Sequence, residues 1–210
     1  MNEHVRATPV GRSTLSLGQL AAAATVKACP PDRVANRRSI LRDVVTARTA
    51  LGLSPNALNV LEALLSFLPG DVMTVGTDAV VYPSNKTLQK RLKGLDLRSI
   101  RRHVGGLVEA GLVIRRDSPN GKRRIVRGSE GEPMEVYGFD LSPLVARAAN
   151  IASMAAEVDA EQRRAAMLRE QVQTTRRFIR QALALAMEHE LPGDWSGIQA
   201  SYAIHFVPIP

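Results

Sequence analysis

The chain has 210 residues and a net charge of +8, with 45% hydrophobic residues and only 4% aromatic ones. A core of Leu, Val, Ile and Ala is within reach, and the composition leans towards helices and away from a β-sandwich. The lone cysteine, Cys29, excludes an intrachain disulfide and a cysteine zinc cluster, and no run approaches the ~18 apolar residues of a membrane-spanning helix. A reducing, cytosolic compartment fits, and no signal peptide is expected, because no long apolar stretch follows the N-terminal charges.

Residues 1–34, with Pro9, Gly11, Gly18, Pro30 and Pro31, read as a flexible or loosely docked N-terminal segment holding one short helix over residues 16–27. Ile40, Leu41, Val44, Val45 and Leu51 form an apolar stripe that predicts a helix over residues 37–51, stopped by Gly52. Ser54-Pro55 is an N-cap followed by a first-turn proline, and it opens a helix running to about Leu68. Residues 71–79 read as a loop and Val80-Val81-Tyr82 as a short strand.

Ser84 caps a helix that ends near Lys93-Gly94, and Asp96 caps another over residues 97–110. The period then changes. Leu112 and Ile114 on one side of Ser118-Pro119-Asn120-Gly121, and Ile125 on the other, predict a hairpin with Asn-Gly at its tip, and residues 135–139 a further strand. The order helix, short strand, helix, helix, strand, turn, strand describes a winged helix-turn-helix. The expected fold is therefore mainly α with a small β-hairpin wing, followed by long helices. Residues 35–141 would form the winged-helix domain.

Residues 142–190 are almost free of Gly and Pro. Leu144, Ile151, Val158, Ala165, Val172, Ile179 and Ala186 recur every seven residues, while a companion row alternates Met154, Leu168 and Ala182 with Arg147, Glu161 and Thr175. One sound row and one broken row fit either a helical extension pairing with a second copy or helices folding back onto the domain. Residues 191–210 return to loop chemistry and read as the start of a linker or a truncated C-terminal part.

The charge is concentrated. Residues 84–127 carry thirteen Lys or Arg against Asp96, Glu109 and Asp117, a net of +10, whereas residues 1–83 carry +2 and residues 128–210 carry −4. A polyanion partner is the first thing this suggests, because a face serving only solubility mixes its signs. With about 100° between successive residues, Arg98 and Arg102 point away from the Ile100, Val104, Leu107 and Val108 stripe, with Ser99, Gly105 and Gly106 beside them. Arg98, Ser99 and Arg102 are the candidates for base contact, since a bidentate arginine reads guanine in the major groove. Arg101 and His103 sit on the flanks as candidates for phosphate contact, and His103 can instead pack on the helix flank. Ser84, Asn85, Lys86 and Thr87 open the preceding helix with donors suited to phosphate. The wing carries Arg115, Arg116, Asn120, Lys122, Arg123, Arg124 and Arg127, suited to phosphates or the minor groove.

A catalytic reading finds little. His4, His103, His189 and His205 show no metal-ligand spacing with one another or with Cys29, and no phosphate-cradling loop or nucleophile elbow is present. No enzyme activity, metal or cofactor is expected. Asp140, before Leu141-Ser142-Pro143, reads as a helix cap.

The run VYPSNKTLQKRLKGLDLRSIRRHVGGLVEAGLVIRRDSPNGKRRIVR, followed by YGFDLSPLVAR and preceded by LRDVVTARTALGLSPNALNVLEALLSFLP, resembles the N-terminal part of RepC, the family of replication initiators of repABC-type plasmids in alphaproteobacteria. The resemblance covers residues 35–150, and RRDSPNGKR and GFDLSPL are not general features of winged helices. It implies a cytoplasmic bacterial protein that binds double-stranded DNA at a plasmid origin and starts replication. It also implies a longer protein, host replication proteins as further partners, and a helix-turn-helix at the place already derived. Gly105-Gly106 and the continuation Arg124-Ile125-Val126-Arg127 depart from the family's typical choices. A winged-helix transcriptional regulator is the alternative, and an interaction protein recruiting a partner through residues 142–190 is a third reading.

Overall fold

The structure is a computed structural model and describes residues 16–119, 123–127 and 133–205. In chain order the elements are α1 (Leu17–Ala28), β1 (Val34–Asn36), α2 (Arg37–Thr46), α3 (Pro55–Leu65), β2 (Val72–Thr74), a 3-10 turn (Thr77–Ala79) and β3 (Val80–Val81). They continue with α4 (Asn85–Arg91), α5 (Leu97–Glu109), β4 (Ile114–Arg116), β5 (Arg124–Arg127), β6 (Pro133–Asp140), α6 (Ser142–Ala146), α7 (Ala148–Glu188) and α8 (Trp195–His205). The fold is mainly helical with small antiparallel sheets.

Local chemistry sets most helix starts. The side chains of Ser16, Asn36, Ser54, Ser84 and Asp96 each accept a first-turn amide hydrogen, so five helices begin where a capping residue stands. The ends fall earlier than periodicity suggests. α2 stops at Thr46, and the chain tightens through Arg48 N–H to Val45 O and Gly52 N–H to Thr49 O, with Gly52 at φ +66°. α3 stops at Leu65 because Phe67 and Leu68 bond three residues back, a tighter winding that ends an α-helix. α4 ends at Arg91, two residues before the expected place.

Two compact units divide after Val158. In the first, α3 and α5 lie against each other over a core that includes Val60, Leu61, Leu64, Ile100, Val104 and Leu107. Leu112, Phe139, Leu141 and Leu144 extend that core, each at most 1% exposed. α1 docks on the end of α5 and on β4 and α6. Ala22 is buried there, Gln19 Nε2 donates to Arg115 O at 3.2 Å, and a Cβ at Gly18 would collide with the carbonyl oxygen of Glu109. Glycine is what lets the two helix backbones touch.

The sheet departs from expectation in its pairing. Among the described residues β4 and β5 are not paired with each other, and the Asn120-Gly121 tip expected between them lies outside the described residues. Both are antiparallel partners of β6: Ile114–Arg116 pair with Asp140 to Gly138, and Arg124 to Arg127 take up the ladder at Tyr137 and run on to Pro133. β3 also pairs with β6. β4 and β5 thus share one partner strand. β6 has eight residues, long enough to serve both, and it ends in Phe139 and Asp140, whose burial fixes its register. Gly138 permits the approach of β3, since a Cβ there would strike Val81 O.

Residues 71–79, expected as a loop, contain β2, which pairs with β1 in a two-stranded sheet. Arg37 braces this corner: its guanidinium pairs with Asp71 and donates to Leu65 O at the end of α3. In the second unit, residues 195–205 are helical where loop chemistry was expected, with Asp194 accepting from Gly197 N–H at 2.9 Å. There Leu183 and Ala186 of α7 are buried, and Tyr202 of α8 donates to Arg176 O.

Candidate nucleic-acid interface

The centre of the basic segment is α5. Its apolar stripe (Ile100, Val104, Leu107 and Val108) is at most 5% exposed, so the opposite face is turned to solvent. Asp96 holds the N-terminus, accepting from Ser99 N–H at 2.7 Å and Ser99 Oγ at 3.2 Å. The backbone bond from Ser99 is the main cause that holds the Asp96 carboxyl below its ordinary range. Arg147 holds the C-terminus: its guanidinium donates to Ala110 O and, at 3.1 Å, to Gly111 O, placing a cation where the helix dipole is negative. Burial draws the Arg147 pKa down. Periodicity registers Arg147 only as a break in the heptad row, so its role is not legible there.

On the outer face Arg98, Arg101 and Arg102 are exposed, and among the described residues none of their side chains is held in a hydrogen bond or ion pair. Ser99, expected beside them as a base-contact candidate, has its hydroxyl turned to Asp96. His103 does not belong to this face. It is 9% exposed, with Nδ1 3.3 Å from Ser54 Oγ at the start of α3 and Nε2 buried without a partner. The flank position of His103 on the wheel puts it on the α3 side, where it packs against the start of α3.

At the start of α4, Lys86 is exposed, while Ser84 accepts from Thr87 N–H at 3.0 Å and its hydroxyl meets Thr87 Oγ1 at 2.7 Å. Asn85 accepts from Arg123 at 3.1 Å. Arg91, itself exposed, bonds to Ser66 and stacks 4.3 Å from the Phe67 ring centroid, and Lys86, Lys90 and Lys93 are further exposed cations of α4 and its turn.

The wing arginines divide in the same way. Arg124 is exposed on β5. Arg123 is half-buried: it lies 4.1 Å over the Phe139 ring and donates to Pro83 O at 2.8 Å as well as to Asn85. Burial, with Arg115 nearby, brings its pKa down to about 10, which still leaves it charged at neutral pH. Arg123 thus ties the start of β5 to the start of α4. Arg116 Nε and a terminal guanidinium nitrogen both donate to Asp140 Oδ2, at 2.9 and 2.6 Å, and Asp140 Oδ1 accepts from Ser142 N–H at 2.8 Å. Asp140 is therefore both the expected helix-start acceptor and an ion-pair partner. Arg115 is half-buried, and its carbonyl receives Gln19. Asn120 and Lys122 lie outside the described residues, as does the side chain of Arg127.

The arrangement thus separates cations that build the platform, Arg91, Arg116, Arg123 and Arg147, from cations left outward: Lys86, Lys90, Lys93, Arg98, Arg101, Arg102 and Arg124. Among the described residues no group of three or more His, Cys, Asp or Glu is placed to hold a metal ion, and no helix is long and apolar enough to cross a membrane.

Two outcomes follow. The Asp140 side chain is 2% exposed and Arg116 39%, so Arg116→Leu strands a buried carboxylate and should cost about 3 kcal/mol of unfolding free energy. Arg102→Ala should stay within about 0.5 kcal/mol of the parent chain. Urea titrations of both variants check the contrast, and equal losses would contradict the division. His103 sets a pH dependence. Burial first, and the Arg102 charge second, lower its pKa below the ordinary 6.5. The unfolded chain therefore takes up this proton at higher pH than the folded one. The stability contributed by neutral His103 is complete above about pH 6.5 and is lost as pH falls through that value towards the folded-state pKa. Urea midpoints between about pH 5 and 8 should fall on the acid side, and His103→Gln should flatten that fall. An unchanged slope in the variant would contradict the assignment.

Comparison with known proteins converges on one family. The family model described as the replication protein C N-terminal domain matches residues 13–187. A protein of Sinorhizobium fredii named as a replication protein C is 38% identical over 203 residues, covering 97% of this chain and 50% of that protein. One of Rhizobium rhizogenes, named likewise, is 36% identical over 195 residues, covering 93% of this chain and 48% of its own length. The chain thus spans about half the length of these relatives. No solved structure matches it. By the extent of the family model and by these identities, the chain belongs to the replication protein C family, whose N-terminal domain it carries.

Proposed function

We propose that the chain binds double-stranded DNA at a plasmid replication origin and acts there as the DNA-reading half of a replication initiator. In this reading α4, the turn at residues 92–96 and α5 are a helix-turn-helix, and β5 with β6 is its wing. The observation that carries it is the outer face of α5. Arg98 and Arg102 stand exposed, one turn apart and, among the described residues, with no side-chain hydrogen bond or ion pair, in a segment of net charge +10.

The energetics fit such a task. Each arginine meeting guanine in bidentate fashion supplies about 1–3 kcal/mol of discrimination. Lys86, Lys90, Lys93, Arg101 and Arg124 have the reach and exposure for phosphates, which set register and supply most of the sequence-independent affinity. The names of the relatives, replication protein C, support replication rather than transcription as the setting. We read the chain as non-enzymatic and cytoplasmic. The middle of the α7 heptad row, where Val172 is exposed, is the surface through which it would meet a second copy, and host replication proteins would be recruited by the assembled initiator.

Footprinting on the chain's own replicon tests this. Protection of an AT-rich, replication-competent segment is expected. Protection confined to promoters would identify a winged-helix regulator instead. If about six phosphates are neutralised, log affinity should fall against log salt with a slope near −5. A slope near zero would remove the basic segment as the contact surface. Arg102→Ala should lower the ratio of specific to nonspecific affinity, whereas an equal loss of both would make Arg102 a phosphate contact.

A further inference from the structure

Gly105 and Gly106 lie within α5, three to four residues before its end at Glu109. After proline, glycine is the least favourable residue in a helix interior, because it has the most backbone freedom to lose. Most other described glycines of the first unit have an internal reason. Gly52, Gly94 and Gly111 have positive φ, and Gly18 and Gly138 let backbones meet where a Cβ would collide. Neither reason applies here. Gly105 and Gly106 are not among the positive-φ glycines, and a Cβ built on either meets no atom within 4 Å. The chain itself has no use for the missing side chains.

Their position says where the use lies. With about 100° per residue, Gly105 falls about 20° from Arg98 and Gly106 about 40° from Arg102, on the face opposite the core stripe. Gly105 is half-exposed and Gly106 exposed. The outer face therefore carries two long exposed cations on its first half and bare backbone directly after them. A surface that meets the arginines and also lies against that backbone must be anionic and must close on the helix at residues 105–106. Glu109, on the same face one turn further, marks where an anion has to have left it.

We infer that Gly105 and Gly106 are positioning residues for duplex DNA: their bare backbone lets α5 sit deeply enough in the major groove for Arg98 and Arg102 to reach base edges. This rests on the reading of α5 as the DNA-contacting helix. A methyl group at either position holds the helix outward by the depth of that group. The bidentate contacts, which tolerate little displacement, are lost before the flexible phosphate contacts are.

The test is the full chain with Gly105→Ala, Gly106→Ala and both. Each is compared with the parent for melting temperature and for affinity to two duplexes, one carrying the origin of its own replicon and one of unrelated sequence. Alanine fits a helical backbone and is favoured there over glycine, so the free double variant should melt a few degrees higher. Its affinity for the origin duplex should fall about tenfold or more, the scale of one lost base contact, while affinity for the unrelated duplex changes far less. A variant that melts higher and keeps its preference for the origin would overturn the inference, leaving the glycines as a tolerated weakness. A lower melting temperature would overturn it too, since the glycines would then serve the chain's own packing. If the parent chain binds neither duplex, the DNA-binding reading itself falls, an outcome separate from a parent that binds and glycine variants that bind equally well.

Discussion

A charged helical face can be presented to a partner only as firmly as the opposite face is held, and most of the first unit is built around holding α5. Its Ile100, Val104 and Leu107 are at most 3% exposed and lie against α3. Burying such side chains contributes about 1.5–3 kcal/mol each, far more than a surface ion pair. Its ends are held by different chemistry: the Asp96 carboxylate at the first turn, and the Arg147 guanidinium with the backbone of α1 at the last. A helix gripped on one face and at both ends keeps the opposite side chains in a fixed frame, and this is what makes an arrangement of exposed arginines usable for recognition.

The same economy governs the wing. β6 is the shared ladder for β3, β4 and β5, and Phe139 and Asp140 at its end meet the two inward arginines. Arg116 neutralises the buried Asp140, and Arg123 covers Phe139 while reaching across to Pro83 and Asn85. The start of β5 is thereby tied to the start of α4. Cations of one segment thus do two kinds of work. Those with a facing carboxylate, carbonyl or ring build the platform, and those without one remain available.

Much of this was legible in the residues. Capping side chains and the spacing of Ile100, Val104, Leu107 and Val108 place α5 and its outer face, because both effects are local. The order of elements through the basic segment follows from the same signals. Strand pairing was not legible. Asn120-Gly121 is a sound turn signal, but the long-range burial of Phe139 and Asp140 decides which strand β4 takes as its partner. β1 and β2 have three residues each, too few for alternation to register. Charge gave the location of the candidate site and nothing about which cations face a partner. Arg91, Arg116 and Arg123 have partners within the chain, Ser66, Asp140 and Phe139, that charge alone does not show. His103 sits at the boundary of two faces, where a shift of a few tens of degrees separates solvent from core.

The central claim is that the polyanion meets the platform on the outer side of α5. Amide hydrogen exchange of the full chain, with and without a duplex carrying the origin, reads this most directly. Slowed exchange is predicted within residues 84–127, strongest across α4, the following turn and α5, with residues 159–205 unchanged. Slowing confined to residues 159–205, or none in 84–127 despite saturating DNA, would contradict the account.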